Sequence, residues 1–162
     1  MALTFRNLVA SPQDPVDTWP SEAVPTALER GDLGDLSRLA SAVATDPWGR
    51  TARQIEEALG HTRPYGVAEL MEAAIRRARH RAEAAERAEV ARELSELLSR
   101  SGLTRADFAR RLGTSRSRLS TYLTGRVVPS AALLVRARRV SASDDAEHRA
   151  DRDQLTPGRL GR

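Results

Sequence analysis

Between Leu103 and Val140 the chain carries nine arginines (105, 110, 111, 116, 118, 126, 136, 138 and 139) against one acid, Asp107, a net charge of +8. Unbalanced guanidinium groups at this density attract a polyanion, and they can supply both a salt-dependent grip on phosphates and a directed hydrogen-bonding fork. The whole-chain charge of +4 on 162 residues hides this concentration. Residues 1–66 hold six Arg and nine acids, net −3, whereas residues 67–162 hold twenty Arg and thirteen acids, net +7. All 26 basic residues are Arg, a choice over Lys that a GC-rich bacterial genome produces without selection. Codon bias does not explain why the balancing acids vanish from one segment.

Other chemistry is poorly represented. No Cys is present, so disulfides, thiolate catalysis and cysteine metal sites are excluded. His61, His80 and His148 are scattered and lack a second His or a Cys at i+3 or i+4, and Glu56 and Glu57 are adjacent and therefore point to different helix faces. Gly-rich phosphate loops, HExxH and GxSxG are all missing. The expectation is a protein that is not an enzyme and needs no cofactor or metal. The longest apolar run, Ala131 to Val135, is far too short to span a bilayer, and MALTFRNLVA lacks the features of a secretory signal. A soluble, cytoplasmic protein without membrane association is expected.

The elements that must hold these arginines follow from spacing. In LTRADFARRLGTSRSRLSTYLTGRVVPSAALLVRARRV, Thr104 can N-cap a first helix with Asp107 three residues on, burying Phe108, Ala109 and Leu112. Gly113 supplies the positive φ of a tight turn. Ser115 can cap a second helix, with Leu119, Tyr122 and Leu123 inward and Arg116, Ser117, Arg118 and Thr121 outward. Gly125 ends it, and Pro129 suits the first turn of a third helix burying Leu133, Leu134 and Ala137.

This segment, with the preceding ARELSELLSRSG, resembles the lambda-repressor-like, Cro-type helix-turn-helix family, the xenobiotic-response-element regulators, over residues 86–140. The resemblance rests on the LT helix start, the A-RLG turn, the S-S-LS helix and the GR-VPS approach to the next helix. It departs at Arg105, where the family often has Gln, and in a missing or degraded fifth helix, the element that carries the usual dimer surface. It implies that the second helix, residues 115–124, enters the major groove while its predecessor crosses the phosphate backbone. Base contacts then fall to Arg116, able to bond guanine O6 and N7 together, and to Ser117 and Thr121. Phosphate contacts fall to Thr104, Arg105, Arg118 and Arg126. Tyr122 is expected to be a packed ring, and Arg110, Arg111, Arg136, Arg138 and Arg139 a solvated face.

Upstream, six of eight prolines precede residue 67, leaving room for short helices over 33–45 and 50–59. Trp19, Trp48 and Tyr65, each beside turn residues, are expected to cap a small core from its loops. LTFRNLVA suits either a strand or an extended arm. Residues 67–100 contain no Gly or Pro and could form one helix of about 51 Å, with opposite charges at i,i+4 and two apolar patches, Val67 to Ala78 and Val90 to Leu98. The expected organisation is all-α: a helical module at 1–78 serving dimerisation, sensing or partner binding, a helical connector at 79–89, the helix-turn-helix domain at 90–140 and a disordered tail at 141–162. The expected function is that of a sequence-specific DNA-binding transcriptional regulator, a bacterial repressor, acting as a homodimer on double-stranded DNA. An antitoxin that binds its operator and neutralises a protein partner through residues 1–78 is the alternative.

Overall fold

A computed structural model describes residues 3, 5 and 10–154, with side chains through residue 143. Among the described residues there are seven α-helices, a 3-10 turn and no strand. The helices are α1 (Ala23–Arg30), α2 (Leu33–Thr45), α3 (Arg50–His61), α4 (Val67–Arg100), α5 (Arg105–Leu112), α6 (Arg116–Leu123) and α7 (Ala131–Gln154). The chain divides into two compact units, Met1–Glu83 and Ala84–Arg162. The segment LTFRNLVA lies outside the described residues except for Leu3, Phe5 and Ala10.

In the first unit, α1 to α3 and the start of α4 bury Val24, Leu28, Leu39, Val43, Ile55 and Met71 around Trp19. Trp19 is fully enclosed: the Phe5 ring meets it edge-on with centroids 5.1 Å apart, and the Arg38 guanidinium lies 5.4 Å from its centroid. Its indole N–H donates to the Asp14 carbonyl at 3.0 Å, which satisfies the one polar atom such burial would otherwise strand. Asp32 opens α2 with a reciprocal capping box to Asp35. Only Trp19 of the three loop aromatics caps the core. Trp48 is 45% exposed and Tyr65 fully so; in the loop that carries Trp48 it is Pro47 that is buried.

α4 contributes Ala68, Met71, Ile75 and Ala78 to the first core and Leu94 and Leu97 to the second. Leu70, expected within the first apolar patch, is instead 47% exposed. No residue of 79–90 is buried. Several of the helix's charges are drawn away from i,i+4 pairing into tertiary contacts. Arg79 forks onto both carboxylate oxygens of Glu56 at 2.6 and 3.0 Å and donates from Nε to the Pro47 carbonyl, while Glu72 pairs with Arg63 at 2.8 Å. Arg92 and Glu96 keep the expected pairing, at 4.0 Å.

The second unit is the last part of α4 with α5, α6 and α7, closed over Leu94, Leu97, Phe108, Leu112, Leu119, Tyr122, Leu133 and Ala137. Leu123 and Leu134 are half-buried against this core. α7 begins one residue after Ser130, whose hydroxyl accepts the Leu133 N–H at 3.2 Å, so Ser130 is the cap and the buried Pro129 precedes it. α7 continues to Gln154, so the segment expected to be a disordered tail is helical over residues 141–154. Poverty in apolar side chains argues against a core but not against a helix: the stretch has no Gly or Pro and repeats Ala. Residues 155–162 lie outside the described residues.

Candidate nucleic-acid interface

α5 and α6 meet at a turn whose every constraint is local. The Thr104 hydroxyl accepts the Asp107 N–H at 3.2 Å and donates to the Asp107 carboxylate at 2.6 Å. That carboxylate also takes Arg110 at 2.6 Å. The Thr104 hydrogen bond first, and then the charge of Arg110, hold the Asp107 carboxyl below its ordinary range. α5 ends on Gly113 at φ 71°, a left-handed conformation that an L side chain enters only with strain. Thr114 N–H returns to the Ala109 carbonyl at 3.0 Å.

Ser115 then caps α6, accepting the Arg118 N–H at 3.1 Å. Leu119 and Tyr122 are buried against α5, so Arg116, Ser117, Arg118 and Ser120 face solvent together on the first turns of α6. Thr121 is half-buried and donates its hydroxyl proton to the Arg118 carbonyl at 2.7 Å. The Thr121 carbonyl receives the Arg126 and Val127 N–H groups at 3.1 and 3.3 Å, fixing the chain that leaves α6 through Gly125 at φ 68°. A Cβ on Gly125 would lie 3.6 Å from the Arg87 carbonyl oxygen, so α4 passes close behind this turn.

Among the described residues, Arg105, Arg116, Arg118 and Arg126 are exposed and their guanidiniums have no hydrogen-bond or ion-pair partner. Other arginines of the segment are committed. Arg136 donates to the Leu112 carbonyl at 2.7 Å, completing the C-terminal end of α5, and Arg138 pairs with Glu93 of α4 at 2.7 Å. The Arg138 hydrogen bond lowers the Glu93 pKa. The solvated face expected for Arg136 and Arg138 is therefore a pair of fasteners between α7 and its neighbours. Spacing along the sequence could not reveal them, because their partners lie 24 and 45 residues away.

A capped helix, a left-handed glycine turn and a second capped helix presenting unpaired cations form the helix-turn-helix arrangement. A helix-turn-helix domain model matches residues 67–150, just over half of the sequence. The chain belongs to the helix-turn-helix domain family. Its match is consistent with the lambda-repressor-like resemblance of residues 86–140, and it starts earlier, at the beginning of α4. Comparison with curated proteins and with solved structures gives no match. In this helix-turn-helix chain no group of three or more potential metal ligands occurs among the described residues, and none of the described helices is long and apolar enough to cross a membrane.

Proposed function

We propose that this helix-turn-helix protein is a sequence-specific DNA-binding transcriptional regulator, acting as a repressor, that inserts α6 into the major groove. The observation that carries the reading is the N-terminal half of α6. Its inward face is anchored by Leu119 and Tyr122 while Arg116, Ser117 and Arg118 project outward without protein partners. An unpaired guanidinium on a rigid helix can meet guanine O6 and N7 as a fork without first breaking an internal ion pair. Arg116 is assigned to base readout, with Ser117 beside it. Thr121 is the weaker base candidate, since its proton is engaged within α6 and only its oxygen is left to accept.

Arg105, Arg118 and Arg126 are assigned to phosphates, where they set register and supply salt-dependent affinity. The Thr104 hydroxyl is occupied on both its donor and acceptor sides by Asp107, so its contribution to a phosphate contact is the orientation of the first turn of α5. One such module reads few base pairs, and paired half-sites call for a homodimer.

Selection of bound fragments from random DNA by the full chain tests the reading. Enrichment of a two-fold-related motif is expected, and recovery of unselected sequence would overturn it.

A further inference from the structure

The first unit has a groove of about 310 Å³ between α2 and the start of α4. Its floor is made of small residues, Ala40, Ala73 and Ala74, and its ridges are Leu33 and Leu70. Leu33 is 78% exposed, although it sits in the first turn of a helix whose neighbouring leucines are buried. Single apolar side chains on a surface are ordinary, but two large ones bordering a hollow of alanines make a patch that water solvates poorly.

Charge along α4 adds a second observation. Glu69 and Arg77 are exposed, lie four residues on either side of Ala73, and have no hydrogen-bond or ion-pair partner among the described residues. The neighbouring Arg63 forms its ion pair with Glu72 and reaches Glu69 only through its charge, without a hydrogen bond. Residues four apart share a helix face, so Glu69, Ala73 and Arg77 form one line with an acid at one end, a base at the other and a small residue midway.

We propose that this groove receives a second copy of the chain, with the two α4 helices crossing antiparallel on a two-fold axis at Ala73. Leu70 of each copy then enters the alanine hollow of the other, and Arg77 of each meets Glu69 of the other on both sides of the axis. Isologous contacts require one patch to carry knob and hole together, with opposite charges placed symmetrically about a centre. A foreign partner would impose no such symmetry. Alanines at the crossing allow the close helix approach that two facing leucine ridges would block. The inference rests on the operator-binding reading for the two-fold symmetry of its purpose, while its test needs no DNA.

Sedimentation equilibrium of the full chain should give a dimer. Leu70→Glu alters a half-exposed ridge, so it should keep its helical circular dichroism and weaken association by at least about tenfold. Arg77→Glu and Glu69→Arg should each weaken association alone, and an equimolar mixture should restore the dimer, because both cross-axis pairs of the mixed species are oppositely charged. A monomeric wild type would overturn the proposal and favour a foreign protein on this face, as the antitoxin alternative requires. Persistence of the Leu70→Glu dimer, or no recovery on mixing, would overturn it equally. A dimer that enriches no DNA sequence would instead remove the regulator reading and leave this interface standing.

Discussion

Arg116 and Arg126 are both unpaired and exposed, yet they should behave differently when removed. Arg116→Ala is expected to cost about 1–3 kcal/mol on the preferred DNA and to flatten the preference, as one fork on a base edge is lost. Arg126→Ala should weaken all sequences alike and lower the salt slope by about one. Anisotropy titrations on matched and scrambled duplexes separate the two outcomes. At Gly113, substitution by Ala meets two obstacles: the positive φ, and the Arg136 guanidinium, whose Nη1 would lie 3.2 Å from the new Cβ. A loss of about 1–2 kcal/mol in urea denaturation is expected. Thr104, Gly113 and Ser115 were readable from sequence because each acts within three residues of itself, through a cap or a single backbone angle. Arg136, Arg138 and Arg79 were not, since their partners are set by which helices pack together. Trp48 and Tyr65 show the same boundary: a ring beside turn residues can face either way, and the turn alone does not decide.

At the level of elements, the position of α6 depends on the core beneath it and on how α7 is tied down. Phe108 is fully buried among α5 and its neighbours, so Phe108→Ala should cost about 3–5 kcal/mol of unfolding free energy, read by chemical denaturation. The Glu93 to Arg138 pair joins α4 to α7 at the surface and makes a smaller, pH-dependent contribution. Because the folded-state pKa of Glu93 is lowered, its contribution is fully present above the unfolded carboxylate pKa. It is lost as pH falls through the folded value. Thermal melts of wild type and Glu93→Gln should therefore differ near neutrality and converge in acid. A gap that widened on acidification would contradict the linkage. The length of α7 was the least legible element. The scarcity of large apolar residues after Val140 argues against a core there, whereas a helix needs only residues that tolerate its backbone.

For the whole molecule, the modest net charge is the remainder of two opposed parts, and the part that meets DNA should set its salt response. If the three arginines proposed for phosphates all engage one half-site, they contribute about −2.7 to the slope of log affinity against log salt, doubled for a dimer engaging two. Binding measured across a salt series checks this directly, and a near-flat response would exclude phosphate contacts by these residues. The two tryptophans add a practical asymmetry. Both belong to the first unit, Trp19 enclosed and Trp48 open to solvent, and the helix-turn-helix unit has none. Indole fluorescence is thus blind to melting around α5 and α6, while far-ultraviolet dichroism records every helix. Iodide should quench the Trp48 share of the emission and spare that of Trp19, giving a built-in optical tag for one half of the chain without any label.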